Sequence, residues 1–170
     1  GGGTGGGGSV VPTLIFIAGS GVSVGGAGMA DGTGSAARFN NPAGIVVDQS
    51  GVMFVAELDN HNIRRISPDG VVSTWAGTGA SGMADGTGTA ASFTFPNGLA
   101  MDGSGAIYVA DFGSNSIRKI SPQGVVSTWV GSTAGTSGSA DGTGTAASFD
   151  APSGLVIDAS GVLYLADRSN

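Results

Sequence analysis

Three near-copies of one segment run along this chain, and their spacing constrains its fold more than any other feature. The pentapeptide Ala-Asp-Gly-Thr-Gly begins at Ala30, Ala84 and Ala140, so the copies lie 54 and then 56 residues apart. The same landmarks follow each pentapeptide: small residues ending in Phe, then Pro-x-Gly, then Asp-x-Ser-Gly. Repeats of this length predict an array of units, because each unit buries its apolar faces only against its neighbours.

Each unit is predicted to contain four short strands, named a to d in chain order. In the second unit these are 98–102, 107–111, 117–120 and 125–130. The breaks between them contain Gly, Asn, Pro and Ser, which are common turn formers. Helical periodicity of useful length is missing from the sequence, and the Ala-Ala-Ser-Phe segments could form at most one turn of helix.

Apolar content falls from strand a to strand d within each unit. Strands a and b are apolar on both faces, strand c mixes Ile with Arg and Lys, and strand d carries Ser and Thr beside Trp. A free-standing antiparallel sheet with one wet face would alternate instead. The gradient favours sheets stacked radially with strand a innermost, which is the arrangement of a β-propeller blade, over a parallel β-helix, whose rungs are usually shorter.

The expected fold is therefore all-β: a partial β-propeller of four-stranded antiparallel blades, with two complete blades and a partial blade at each end. We assign 1–12 to a Gly-rich flexible tether and 13–170 to the propeller. Within the propeller, the predicted parts are a lone strand at 14–19, complete blades at about 42–77 and 96–131, and a partial blade at 152–170.

The units resemble NHL repeats, a propeller family named for an Asn-His-Leu stretch. The resemblance rests on P-x-G-[IL]-x-x-D, x-G-x-x-[FY]-[VL]-A-[DE], N-x-I-R-[RK]-I-x-P-x-G and V-V-S-T-W-[AV]-G, and it covers about residues 14–170. Asn60-His61-Asn62-Ile63 occupies the naming position, whereas the second unit departs from it with Ser114-Asn115-Ser116-Ile117. The resemblance implies a ring of about six blades, which is more than this chain supplies.

An open stack of blades leaves two blade faces in water, at an expected cost on the order of 10 kcal/mol per face. Either further blades of a longer protein or another copy of the chain would have to close the ring. We favour a longer protein, because two copies joined end to end would give a hybrid blade with strands a, b and d and no strand c.

Two interpretations of the Gly/Ser run at 1–9 stay open: an engineered linker, or the spacer that follows a lipidated cysteine in a bacterial surface lipoprotein. The Gly-, Ser-, Thr- and Ala-rich composition with few Lys residues favours an exported bacterial protein. We therefore expect an extracellular, cell-surface or periplasmic location, with a lipid anchor upstream of Gly1 as one form of attachment.

Charge and cysteine content exclude several classes of function. Six Lys and Arg residues against twelve Asp and Glu give a net charge of −6, which argues against nucleic acid as the partner. The absence of cysteine excludes a disulfide scaffold, a thiolate zinc site and a cysteine nucleophile. The longest apolar stretch, 10–18, is too short for a transmembrane helix.

Candidate binding residues gather at one end of the predicted blades, where the b–c turns and the long d–a loops lie. Binding residues concentrate on such loops. The candidates are Asp31, Asp85, Asp141, Asn60, His61, Asn115, Glu57, Asp111 and Asp167. We expect the partner that binds here to be a protein or a glycan.

A structural role competes with a chemical role at each candidate. The repeated Asp of Ala-Asp-Gly-Thr-Gly could ligate Ca²⁺, but one carboxylate per loop favours a turn cap. His61, the only histidine, is interpreted as a turn residue. The basic pairs Arg64-Arg65 and Arg118-Lys119 should be split between the two sides of their blades. They should pair between blades with Glu57, Asp111 or Asp102.

Motifs for nucleophilic, zinc-protease or nucleotide chemistry are missing, so we expect a non-enzymatic binding or scaffolding module with no cofactor. The alternative is a metal-dependent propeller hydrolase or lyase. The resemblance to propellers of that kind implies that Glu57, Asp111 and Asp167 would then converge near the axis of a closed ring.

Overall fold

The computed structural model describes residues 17–19 and 27–170, which contain twelve strands and four short 3-10 helices. The tether predicted at 1–12 and residues 14–16 of the predicted lone strand lie outside the described residues. The first unit holds β1 (Gly32–Thr33), β2 (Pro42–Val47), β3 (Met53–Glu57), β4 (Asn62–Ile66) and β5 (Val71–Ala76). The second holds β6 (Gly86–Thr87), β7 (Pro96–Met101), β8 (Ile107–Asp111), β9 (Ser116–Ile120) and β10 (Val125–Gly131), and the third holds β11 (Pro152–Ile157) and β12 (Leu163–Asp167). The 3-10 helices are Gly34–Ala36, Gly88–Ala90, Phe112–Ser114 and Gly144–Ala146.

The described residues form a partial β-propeller with two complete antiparallel blades, as the repeats predict. The strand orders are β1-β5-β4-β3-β2, β6-β10-β9-β8-β7 and β11-β12. Each complete blade has a fifth strand that the sequence does not predict. It arises because the Gly-Thr of the pentapeptide pairs with the start of strand d, as in Gly32 with Val72 and Thr33 with Val71. The pentapeptide therefore runs along the outer edge of its blade.

Neighbouring blades meet at their first strands, and glycine makes this close approach possible. A Cβ added to Gly44 would lie 2.3 Å from the carbonyl oxygen of Asn97, and one added to Gly98 would lie 2.1 Å from that of Ser153. Both distances are far below ordinary contact. The glycines of the first two Pro-x-Gly motifs, Gly44 and Gly98, thus allow β2, β7 and β11 to stand side by side around a common axis.

The Ala-Ala-Ser-Phe segments fill the layers between blades. Ala91 and Phe93 are fully buried in one cluster with Ala56 and Ile63 of the first blade and Val109 of the second. Phe149 packs in the next cluster, which joins the second blade to the third unit. This burial explains why each unit needs its neighbour and why the polar strand d can lie outermost.

Residues 17–19 occupy the place of the last residues of a strand d. The Gly19 amide donates to the carbonyl of Gly34, as the Gly77 amide donates to that of Gly88 in the next unit. Ala18 packs against the apolar cluster of the first blade. Among the described residues, we find no helix that is both long and apolar enough to span a bilayer.

Candidate functional site

Each complete blade contains a buried arginine held between two carboxylates. Arg64 is fully buried and bonds Glu57 at 2.9 Å and Asp31 at 2.7 Å. Arg118 repeats the arrangement with Asp111 at 3.5 Å and Asp85 at 2.7 Å. In both cases the inner acid is fully buried and the outer acid is about half exposed.

Strand c supplies the arginine and two other segments clamp its guanidinium. Arg64 Nη1 and Nη2 also donate to the carbonyls of Arg38 and Ala30, and Arg118 donates to those of Ser92 and Ala84. A phenylalanine ring lies about 5 Å from each guanidinium carbon: Phe39 at 5.1 Å and Phe93 at 5.5 Å. The arginine therefore ties strands b and c to the loop that precedes strand a.

The two clusters differ by one methylene group, and this difference has an electrostatic consequence. The shorter side chain of Asp111 leaves it 3.5 Å from Arg118, whereas Glu57 reaches Arg64 at 2.9 Å. Burial raises the pKa of Asp111 to about 7, against the lowering effects of its hydrogen bonds and of Arg118.

Two expectations about charged residues are wrong. Asp31 and Asp85 do not cap the turn before the Ala-Ala segment, because the 3-10 helices there have no side-chain cap. They accept from arginine and from a strand d residue instead, Thr74 in the first blade and Thr128 in the second. The arginines do pair with the expected acids Glu57 and Asp111, but these ion pairs lie within each unit rather than between blades. The predicted split of the basic pairs is confirmed, since Arg64 is buried while Arg65 is half-buried.

The inner carboxylates hold the segment that leads into strand a. Glu57 accepts from the amide of Asn40 at 2.6 Å, Asp111 from that of Thr94 at 2.7 Å, and Asp167 from that of Asp150 at 2.9 Å. These three acids thus share a structural role, and each fixes the loop of its own unit.

The residue that follows each held amide has a left-handed backbone. The φ angles are 53° at Asn41, 54° at Phe95 and 58° at Ala151. Only Asn among these residue types tolerates that conformation readily, so Phe95 and Ala151 are strained. Each of these residues precedes the proline that begins strand a, at the end of the sheet that carries the b–c turns. We call this end of the blades, with residues 40–41, 58–61, 94–95, 112–115 and 150–151, the loop face.

The predicted turn residues of the loop face secure the same strained segments. His61 Nδ1 accepts from the backbone amide of Phe95 at 3.1 Å, and the side-chain Oδ1 of Asn115 accepts from the backbone amide of Ala151 at 2.9 Å. The rings of His61 and Phe95 lie 4.7 Å apart, edge to face. Asn60 donates to Glu57 and to the carbonyl of Gly28. His61 therefore joins its own blade to the next one.

The structure gathers most of the nine candidates, but in separate groups. Asp31 and Glu57 bond Arg64, and Asn60 bonds Glu57. Asp85 and Asp111 bond Arg118, and His61 and Asn115 lie at the boundaries between units. Asp141 and Asp167 line one cavity in the third unit. Among residues 17–19 and 27–170, no three His, Asp or Glu side chains lie close enough together to hold a metal ion. A ligand role for the nine residues stays a prediction.

Sequence reasoning missed the strained positions on the loop face. Asn41, Phe95 and Ala151 differ in side chain while their backbones and their holding bonds are alike. The sequence does carry one signal for these positions, because each of the three residues directly precedes the repeated proline. Phe95 is 39% exposed, which is unusual for an aromatic residue at a strained position.

Grooves also lie between the a–b turns at the opposite end of the blades. One of about 310 Å³ lies between the turns at Asp48 and Asp102, and one of about 420 Å³ between those at Asp102 and Asp158. Each Asp accepts from the Ser hydroxyl and amide two residues later, and these bonds contribute to lowering its pKa. These acids are thus occupied in closing their own turns.

Comparison with known proteins agrees with the repeat pattern. The profile of the NHL repeat matches residues 93–120. The chain is 34% identical over 91 residues to the Arabidopsis thaliana protein SUPPRESSOR OF QUENCHING 1, chloroplastic, and 37% identical over 95 residues to NHL repeat-containing protein 2 of Bos taurus. These matches cover 53% and 54% of this chain, but only 9% and 13% of the two relatives.

Among solved structures, an auxiliary nutrient binding protein from Bacteroides thetaiotaomicron is similar, with a TM-score of 0.67 and 28% identity. The similarity covers 73% of this chain and 34% of that one. The chain therefore spans about a third of a protein that shares its fold.

Proposed function

Because the chain belongs to the NHL-repeat family of β-propellers, we propose that it acts as a non-enzymatic binding module of an exported protein, with a glycan or a protein as its ligand. The observation that carries this proposal is the construction of the loop face. Similar bonds hold each loop, and the strained position exposes Asn41 in the first unit and Phe95 in the second, whereas Ala151 in the third is buried. A fixed frame with variable contact residues is typical of binding surfaces.

A non-enzymatic role is supported by what the acids do. Glu57 and Asp111 each bond a buried arginine and a loop amide, so their oxygens hold the fold together. The resemblance to a nutrient binding protein also supports binding rather than turnover.

The chemistry of the displayed residues favours a glycan. Phe95 offers an apolar ring on which a sugar can stack, and Asn41 offers an amide that can donate and accept. The two exposed strained residues, Asn41 and Phe95, are uncharged, which fits a neutral polar ligand better than a strongly charged one.

The test is a glycan-array screen of the chain, followed by calorimetry on the strongest hit. Phe95→Asn should weaken binding tenfold or more, because it removes the ring and keeps a backbone that Asn41 shows to be compatible. Val125→Asn is the matched control, since Val125 is exposed on the outer strand. Equal affinities of the two variants would contradict the assignment of the loop face, and capture of a protein through Phe95 with no glycan bound would favour a protein ligand.

Export is tested separately by fractionating cells that produce the full-length protein. We expect it in the medium, on the cell surface or in the periplasm, and recovery in the cytoplasm alone would contradict this part of the proposal.

A further inference from the structure

The segment that displays Phe95 on the loop face is fixed through its backbone, and one of its bonds crosses to the neighbouring blade. All four backbone polar groups of Thr94 and Phe95 are hydrogen-bonded. Three of these bonds stay within the second unit: the Thr94 amide donates to Asp111, and the carbonyls of Thr94 and Phe95 accept from the amides of Gly113 and Phe112. In the fourth bond the Phe95 amide donates to His61 of the first blade. We infer that His61 is the positioning residue of Phe95 and that proton uptake by His61 releases Phe95, which makes the loop face sensitive to pH.

The bond from Phe95 needs an unprotonated imidazole. His61 Nδ1 accepts from the Phe95 amide at 3.1 Å, so the ring proton of the neutral imidazole lies on Nε2. In the protonated imidazole both ring nitrogens carry hydrogen, so any rotation of the ring presents a donor to the donating amide. Histidine side chains change their charge between about pH 5 and pH 8. The side chain of His61 is half-buried, so solvent protons can reach it.

The next boundary between units makes the same bond with an acceptor that does not titrate. There the amide of Ala151, at the same point of the repeat as Phe95, donates to Oδ1 of Asn115 at 2.9 Å. Asn115 also matches His61 in backbone conformation, since their φ angles are 52° and 49°. An amide oxygen stays an acceptor when the pH changes. The chain therefore contains one boundary with a titratable acceptor and one with a neutral acceptor.

Loss of the bond would free a residue that is held away from its preferred conformation. Phe95 has a φ angle of 54°, which a bulky side chain rarely adopts, so its backbone gains by returning to an ordinary region. The ring of Phe95 also has two fixed neighbours. It lies edge to face with His61 at 4.7 Å, and a Cβ added to Gly113 would lie 2.9 Å from its Cδ2. Release of the amide would therefore move the ring away from the place where a ligand of the loop face would meet it.

The elements around His61 carry one exposed acid and two arginine clusters. The acid is Asp59 on the same turn, and the clusters are Glu57, Asp31 and Arg64 in the first blade and Asp111, Asp85 and Arg118 in the second. Asp111 matters most here, because burial raises its pKa to about 7 and it holds the Thr94 amide beside Phe95. The contribution of Asp111 to stability falls as the pH rises, whereas the bond to His61 is lost as the pH falls. The two titrations therefore act in opposite directions.

The test is a pH titration of the full, isotope-labelled chain by NMR, without ligand. Between pH 8 and pH 5 the Phe95 amide should lose about fivefold of its protection against solvent exchange, after correction for the intrinsic exchange rate, because one ordinary hydrogen bond changes an equilibrium by about that factor. The midpoint of this loss should coincide with that of the ring protons of His61. The Ala151 amide is the control within the same sample, and its protection should stay constant. Constant protection of the Phe95 amide while the His61 ring titrates would overturn the inference.

Two substitutions separate the effect of His61 from that of Asp111. His61→Asn copies Asn115 and should keep the Phe95 amide protected at both pH 5 and pH 8. His61→Gly tolerates the positive φ angle but removes the acceptor, so it should leave that amide equally unprotected at both. A loss of protection at low pH that persists in His61→Asn would assign the effect to Asp111 and overturn the inference. The comparison of Phe95 with Ala151 in the parent chain does not depend on how well a variant folds.

The inference rests on the proposed function only for its consequence, which is weaker binding through Phe95 at pH 5 than at pH 8. The titration uses no ligand, so its failure is distinguishable from failure of the glycan screen. A flat titration would overturn the role of His61 and leave the loop face as a binding surface, whereas a screen without hits would leave the bond and its pH dependence in place.

Discussion

Replacing Gly98 by alanine should separate two neighbouring blades. The new Cβ would lie 2.1 Å from the carbonyl oxygen of Ser153, 3.1 Å from the amide nitrogen of Leu155 and 3.2 Å from the Cα of Gly154. All three atoms are backbone, so no side chain can rotate away. Relieving the contact requires a shift of more than about 1 Å at the axis, and overpacking of this kind typically costs about 1–3 kcal/mol or more. We expect about 3 kcal/mol, because the shift also loosens the apolar cluster between the second blade and the third unit.

Gly154→Ala is the matched control, since it makes the same change at the same point of the repeat. A Cβ there would meet only the Cβ of Ala166, at 3.7 Å, which is ordinary contact. A loss of 3 kcal/mol lowers the melting temperature of a chain of this size by about 6–12 °C. Calorimetry should show that fall for Gly98→Ala and no fall for Gly154→Ala. Similar melting temperatures for the two variants would refute the reasoning that the first strands of neighbouring units touch.

Three further predictions concern the buried cation and the loop face. Arg118→Met should lower the free energy of unfolding, measured by urea denaturation, by about 3–5 kcal/mol, because Asp111 is left buried without its partner. Adding Asp111→Asn should restore part of this loss. A double variant that is no more stable than Arg118→Met would contradict the pairing. Burial raises the pKa of Asp111 to about 7, whereas the unfolded chain releases this proton near pH 4. Between these two pH values the native state holds a proton that the unfolded chain does not. The contribution of Asp111 to stability therefore falls as the pH rises from about 4 to about 7. Melting curves at pH 5 and pH 8 should show a smaller difference in Asp111→Asn than in the parent chain, and an unchanged difference would contradict the assignment. Asn41→Phe should lower stability by about 1–2 kcal/mol while Phe95→Asn does not, because Asn tolerates the left-handed backbone at both positions; equal thermal shifts would contradict this.

Much of the fold could be predicted because the three repeats of this sequence can be aligned with one another. Strand b of the second unit was predicted at 107–111, where the structure has it, since turn formers bound it on both sides. The fifth strand could not be predicted. It is two residues long, too short for an alternating pattern, and its pairing depends on the path of the loop across strand d.

The arginine clusters show which part of the site needed the structure. Asp31 and Arg64 are 33 residues apart, and Asp85 and Arg118 have the same separation. The repeated spacing was visible in the sequence, but nothing local indicates that a loop and strand c of the same unit meet. Local reasoning therefore assigned these acids to turns, although the geometry uses them to hold a buried cation.

The most direct test of the partial propeller is a nuclear Overhauser measurement between the first strands. The Cβ position of Gly44 lies 3.1 Å from the Cα of Gly98, and that of Gly98 lies 3.2 Å from the Cα of Gly154. A ring of blades predicts strong cross-peaks between the α protons of Gly44 and Gly98 and between those of Gly98 and Gly154. Absence of both cross-peaks in a folded sample would contradict the arrangement of these repeats around one axis.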